Sequence, residues 1–536
     1  MMQTIDDTKF LSAQQAVAMI GDGATLAITG AGGGLVEPDG LLAALEQRFL
    51  ETGLPRGLTV IHAQGLGDGD QRGLNRLAHE GLVARVIGAH WAWSPRMQAL
   101  AAAEKIEAYA LPGGVIQHLL REIGAGRPGL VTHIGLGTMV DPRLGGGRMN
   151  QRAQEALSEI IQLDGREYIR YKPFKVDFAL LRGSLADARG NTSLEEEGAE
   201  LDALALAMAA HNSGGKVLVQ VRAKVERGAL AARSVRLPGA LVDAVVAVPD
   251  QPQRYGDGFD ARLTGTVPPG AHLPDGAGTE AGTEVAASAV QRRIVGARAH
   301  QELSGSGIVS FGFGMPDEVA ALAARSGNAA RYHQSVDHGH YGGTSLQGDL
   351  FGFVRDGEAM IDSPSQFDFY SGGGIDIAFL GFGQFDRHGD VNVSCLNGKV
   401  IGPGGFIEIA QGSRKIVFCG VFETGGLQVA LERGALCISR PGAVRKVVEQ
   451  VEQVTFSGRQ ALATGREVLY VTERAVFRLT SEGIALLEIA PGIDLQRDVL
   501  DRMGFAPLIP AGCPRIMTAP NCYAGEMAAK SPDGYR

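Results

Sequence analysis

The sequence predicts an α/β protein of two tandem, similar domains. Three observations point there: short apolar runs that alternate with helical stretches, glycine-rich turns at the ends of those runs, and a repeat of the same elements in the same order. LTVIHA, KVLVQV, KIVFCGVF and EVLYVT read as buried parallel strands, because a strand covered on both faces is almost continuously apolar. DGLLAALEQRFL and AVAMIG read as helical stretches alternating with them. VDFALLRGSLADARGNTSL (176–194) lines up with IDIAFLGFGQFDRHGDVNVS (375–394): a buried strand, a small-residue turn, then Asp-x-x-Gly-[Asn/Asp]. TLAITGAGGGLVEPDGLLAAL (25–45) resembles GIVSFGFGMPDEVAALA (307–323) in the same way, with glycines, Pro-Asp and an amphipathic helix after the strand.

The 536 residues are too many for one ordinary core, which agrees with two domains. We place the first at 1–250 and the second at 288–517. Residues 251–287 are rich in Pro, Gly and small polar residues and read as a linker, and 518–536 as a loose tail. The 76 glycines, about twice the usual share of roughly 7%, predict many tight turns and close backbone approaches.

Composition narrows the function. A net charge of −9 argues against a nucleic-acid partner, which requires a basic face. Five cysteines with no CxxC spacing predict reduced thiols and no zinc knuckle. No segment approaches the ~18 apolar residues of a membrane span, and the first residues carry no basic-then-apolar signal, so a cytoplasmic protein with no membrane association is expected.

Ligands of open α/β sheets sit at the carboxyl ends of strands, and three glycine turns fall there. ITGAGGG (28–34) lacks the GxGxxG spacing of a dinucleotide site, since Leu35 stands where the last glycine would. Its Gly32, Gly33 and Gly34 either turn amides toward a ligand oxygen or simply form a tight turn. Gly404 and Gly405 of IGPGGFIEI pose the same alternative, and the sequence alone favours a turn. The third stretch, HQSVDHGHYGG (333–343), sets Asp337 among His333, His338 and His340. Strand alternation puts His333 on the face of Asp337 and the other two histidines on the opposite face, which disfavours a metal site. Asp337 is then a turn acid, or a lone carboxylate suited to acyl transfer through an anhydride.

These segments, with GLNRLAHEGLVARVIGAHW (73–91), GLGTMVDPR (135–143), ADARGNTSLEEE, QFDFYSGGGIDIAFLG and EIAPGIDL, give the chain a resemblance that runs nearly its whole length. It resembles the family I coenzyme A transferases, of the fused two-domain acyl-CoA:acetate/3-ketoacid (propionate) type. The resemblance implies two similar open α/β domains of the CoA-transferase type, acyl-CoA and carboxylate substrates, and a homo-oligomer, often a tetramer. No metal or redox cofactor is implied; the coenzyme A thioester is substrate. The family's nucleophile is a glutamate in [Thr/Ser]-x-Glu-x-Gly followed by Gly-Gly, and Asp337 of Ser335-Val336-Asp337-His338-Gly339 occupies its place, with Gly342-Gly343 after it. The implied oxyanion donors are the amides around Gly404 and Gly405 first, and those of Gly32 to Gly34 second.

Aspartate is one methylene shorter, a retraction of ~1.5 Å, and a misplacement of ~1 Å can cost about 10²-fold in rate. That leaves room for a water, with Asp337 as general base and His333, His338 or His340 as candidate proton-transfer neighbours. The expectation is CoA transfer between a short-chain acyl-CoA or 3-ketoacyl-CoA and a carboxylate such as acetate. The alternative is a thioester or β-keto C–C hydrolase.

Overall fold

Hydrophobic strand residues of the first unit divide between two layers. Leu26, Ile28, Val60, Phe178 and Leu180 join one buried cluster, and Ala27, Ile61, Ala179 and Leu181 join another. Successive side chains point to opposite faces of a strand, so a strand apolar at every position needs cover on both sides. Helices supply it: Asp39–Thr52 buries Leu41, Leu42 and Leu45 in the first cluster, and Gly113–Gly124 and Ala203–Asn212 pack together in the second. Burying one such leucine or isoleucine contributes about 1.5–3 kcal/mol.

The computed structural model describes residues 9–518 apart from 257, 272–289, 304, 306 and 327–330. It contains two compact units. In the first, seven parallel strands run in the order Ala244–Ala247, Lys216–Val221, Phe178–Arg182, Thr25–Ile28, Leu58–His62, Val83–Gly88, Glu107–Ala110. In the second, parallel strands Ile308–Phe311, Ile375–Gly381, Ser413–Cys419 and Glu467–Val471 are neighbours in that order, followed by antiparallel Ala475–Thr480 and Gly483–Ile489.

The repeat has a structural counterpart. Leu26 and Ile28 pair with Phe178 and Leu180 in the first sheet, as Val309 and Phe311 pair with Ile377 and Phe379 in the second. The repeated Asp-x-x-Gly segments also fold alike. Asp187 Oδ1 accepts the amides of Arg189 (2.9 Å) and Asn191 (3.1 Å), and Asp386 Oδ1 those of His388 (2.9 Å) and Asp390 (3.2 Å). An aspartate that caps its own turn in this way explains why the pattern recurs.

The division into units differs from the linear one. The first comprises Met1–Ala281, Gln334–Gly374 and Ser394–Gly412, and the second Gly282–His333, Ile375–Val393 and Ser413–Arg536. The chain therefore enters the second unit and returns to the first twice, which no composition shift marks. Nor does the described part of the expected linker stand apart. Tyr255 donates its amide to Gly33 O (2.7 Å), Leu263 is fully buried, and Asp260 pairs with Arg355 (3.0 Å). Pro269 and Gly270 lie in a turn closed by Ala271 N–H on Pro268 O. Residues 272–287 of that segment, and 519–536 of the expected tail, lie outside the described residues. Among the described residues no helix is long and apolar enough to cross a membrane.

Glu37 ties the glycine loops of the first unit together. It is fully buried, with Oε1 accepting the Gly67 amide and Oε2 the Tyr255 hydroxyl, both at 2.8 Å. A Cβ on Gly30, whose φ is +134°, would come within 2.5 Å of its Cγ. Burial pushes its carboxyl up to about 8, against the pull of the two hydrogen bonds. The folded state thus keeps a proton that the unfolded state releases near the ordinary carboxylate range. This contribution to stability is complete at acid pH and is lost as pH rises toward and through about 8. In thermal denaturation, Glu37→Gln is expected to lose less of its melting temperature between pH 5 and pH 9 than the wild type; parallel curves would contradict the assignment.

Candidate active site

Asp337, His338 and Gly339 form the turn of a tight hairpin. Strand His333–Val336 pairs antiparallel with His340–Tyr341, Ser335 opposite Tyr341 and Val336 opposite His340. Gly339 closes the turn with a φ of +103°, which favours glycine, and its amide donates to Val336 O (2.9 Å).

One helix holds this hairpin from below. Ser363–Ser371 starts at Asp362, whose side chain accepts the Ser365 amide (2.6 Å) in an N-cap. Positions 363, 367 and 370 lie on one face at helical spacing. Ser363 Oγ donates to Asp337 O (2.8 Å), Tyr370 Oη donates to Ser335 Oγ (3.0 Å), and Phe367 is fully buried.

The turn Gly402–Gly405 meets the same carboxylate. A Cβ on Gly405 would lie 2.7 Å from Asp337 Oδ2 and 3.1 Å from Phe367 Cζ, so the absent side chain is what lets this backbone reach the acid. Gly404 is fixed on both sides: its amide donates to Ala89 O and its carbonyl accepts the Gly113 amide, each at 2.8 Å. Gly113 begins the helix Gly113–Gly124, whose next amides would otherwise be orphaned. Glu408 satisfies Val115 N (2.9 Å) and is fully buried, and burial raises its carboxyl to about 7.

The structure narrows the amides expected to face a ligand. Gly404 N–H is engaged by Ala89, whereas Gly405 N–H meets no acceptor among the described residues. Gly33 N–H is likewise engaged, by Gly67 O (3.2 Å). Gly32 lies under the Trp93 ring and Gly34 under Tyr255, where any side chain would collide. Close packing explains Gly32 and Gly34, and a φ of +76° explains Gly33.

The histidines separate. His338 is buried, its Nδ1 3.1 Å from Asp337 Oδ1 and its ring edge-on to Phe351. His340 is buried, and burial, with the nearby His338 charge, pushes it down to about 4. His333 is exposed. Among the described residues no group of three or more His, Cys, Asp or Glu is placed to hold a metal ion.

Asp337 has a side-chain exposure of 13%. Burial alone would raise its carboxyl, but the His338 charge and the hydrogen bonds from His338 and the turn amides outweigh it and hold the group below its ordinary value. The carboxylate is thus ionised at neutral pH.

Sequence reasoning missed His90. Its ring packs against Gly404, and Asp337 acts on it electrostatically. Its position just past the carboxyl end of strand Val83–Gly88 is the signal that could have found it. Asp202, buried and hydrogen-bonded to Thr29 Oγ1 (2.9 Å), was missed too; burial raises it to about 6, and His338 opposes the shift.

Known proteins match this architecture. Residues 10–248 match the Coenzyme A transferase family. The chain is 42% identical to the acetate CoA-transferase YdiF of Escherichia coli (strain K12), covering 93% of this chain and 92% of the relative. It is also 42% identical to the caffeate CoA-transferase of Acetobacterium woodii, with 94% and 95% covered. Among solved structures, the apoenzyme of the acyl-CoA transferase YdiF from Escherichia coli O157:H7 matches with a TM-score of 0.89 and 41% identity over 95% of each chain. The fold and these likenesses define a two-domain acyl-group enzyme. The chain belongs to the coenzyme A transferase family and is a CoA-transferase.

Gly405→Ala tests the close approach. Its methyl must displace the Asp337 carboxylate or Phe367, and a shift of ~1 Å predicts a loss of about 10²-fold in CoA transfer with the fold retained. Activity within about threefold of wild type would show that the contact is dispensable.

Proposed function

We propose that the enzyme transfers coenzyme A from a short-chain acyl-CoA to a carboxylate such as acetate, with Asp337 as covalent nucleophile. The observation that carries this reading is the ionised Asp337 carboxylate lying against Gly405, whose amide is open. Relatives named for acetate and caffeate support a carboxylate acceptor, and a CoA thioester complex of the Escherichia coli O157:H7 YdiF protein supports a covalent route.

In the first half-reaction an Asp337 oxygen attacks the thioester carbon, the carbonyl electrons move to its oxygen, and collapse expels CoA thiolate. A mixed anhydride remains. The thiolate then attacks the aspartyl carbonyl, releasing the first carboxylate and leaving an enzyme-CoA thioester. The acceptor carboxylate reverses both steps. Each tetrahedral stage places negative charge on an oxygen that an amide such as Gly405 N–H can stabilise. The exchange moves electron pairs among carboxylate, thioester and thiolate only, so the reading calls for no metal or redox cofactor. His338 steadies the charged form of Asp337, while the burial and low basicity of His340 suit it to packing. We assign the enzyme to the cytoplasm as a homo-oligomer, up to a tetramer, on composition and family resemblance.

The test is acyl-CoA with and without a carboxylate acceptor. Transfer predicts acyl exchange that depends on acceptor, and Asp337→Asn is expected to lose at least about 10³-fold in kcat. Acceptor-independent release of free CoA at a comparable rate would instead establish hydrolysis.

A further inference from the structure

An oxyanion site is strongest with two converging donors, and on the glycine turn only the Gly405 amide is open, because Gly404 N–H is engaged by Ala89 O. Gly404, the residue before Gly405, packs against His90. Two backbone hydrogen bonds bracket this residue: Gly404 N to Ala89 O (2.8 Å) and Trp91 N to Ile401 O (2.7 Å). The segment carrying His90 is thus zipped to the turn that meets Asp337. A Cβ on Gly404 would lie 3.7 Å from His90 Cδ2, and one on Gly65 would lie 2.8 Å from its Nδ1. The ring is therefore held between two glycine backbones that leave no room for it to swing toward Gly65. It is half-buried, and no described residue forms a hydrogen bond with it.

We propose that His90 is a second catalytic residue, whose ring N–H donates a hydrogen bond to the acyl oxygen as Asp337 attacks, completing with Gly405 N–H a two-donor oxyanion site. This rests on the transferase reading above. When the Asp337 oxygen bonds to the thioester carbon, the carbonyl pair moves onto the acyl oxygen. His90 stabilises that charge by hydrogen bonding without giving up its proton. The pair returns as the C–S bond breaks and CoA thiolate leaves, so no net proton transfer occurs. A neutral imidazole is sufficient for the task, because donation to the acyl oxygen needs one ring N–H and no charge. Burial keeps His90 neutral, pushing it down to about 4 against the attraction of Asp337.

Steady-state exchange of acetyl-CoA with labelled acetate in His90→Phe and His90→Gln separates donation from packing. Loss of one oxyanion donor predicts a fall of about 10²–10³-fold in kcat for His90→Phe with KM within about threefold. His90→Gln, which keeps an N–H donor, is expected to recover at least tenfold over Phe. Equal losses in the two variants, or a His90→Phe enzyme within threefold of wild type, would overturn the proposal. Should His90→Phe not fold, His90→Ala with added imidazole decides: restored kcat supports donation, and no restoration contradicts it. Wild-type enzyme run alongside keeps the two readings apart. Absence of acceptor-dependent exchange in wild type would fail the transferase reading, whereas full wild-type exchange with indifferent His90 variants would fail this inference alone.

Discussion

The contact between a carboxylate and a bare backbone organises this site. Asp337 Oδ2 lies 2.7 Å from where a Gly405 Cβ would stand, and the turn that makes this approach is held at Gly404 by Ala89 on one side and Gly113 on the other. Each partner sits at the carboxyl end of a strand or the first turn of a helix, the positions where an open α/β sheet gathers its loops. Strand order, helix Gly113–Gly124 and the hairpin on helix Ser363–Ser371 thus converge on one contact a few ångströms across.

Electrostatics single out the same residue. Burial drives Glu37, Asp202 and Glu408 toward their neutral forms, with carboxyls raised to about 8, 6 and 7. Asp337 is also buried, yet it is lowered, because His338 and the amides of its own turn favour the charged form. Asp337 is thus the one of these four acids whose surroundings favour the charged form, and it lies beside an open amide.

Much of the fold was legible in sequence because it is local. Apolar runs fixed the parallel strands, and the Asp-x-x-Gly turns announced the repeat through hydrogen bonds to their own backbone. Asp337 stood out in its motif among neighbouring glycines, and the fold sets it against one more, Gly405. What failed depends on long-range contacts. Gly404 and Gly405 are adjacent and alike in sequence, yet Ala89 engages one amide and leaves the other open. His90 was a single histidine in an apolar stretch, and nothing nearby revealed that Gly404 would lie against it. The 251–271 segment has the composition of a linker, but Tyr255 is fixed by Gly33 and by Glu37, 218 positions earlier, and Leu263 by burial.

The shorter acid remains the point on which the chemistry turns. A retraction of ~1.5 Å could admit a water, but the hairpin and the glycine turn bring carboxylate and backbone into contact despite it. Oxygen tracing separates the two outcomes directly. In the covalent route an acceptor oxygen becomes the anhydride bridge and stays on the enzyme when CoA departs with the new acyl group. Turnover of acetyl-CoA with [¹⁸O]acetate, followed by mass analysis of the peptide spanning 333–343, should therefore place ¹⁸O in the Asp337 carboxylate. An enzyme that turns over yet returns this peptide unlabelled would contradict Asp337 as nucleophile.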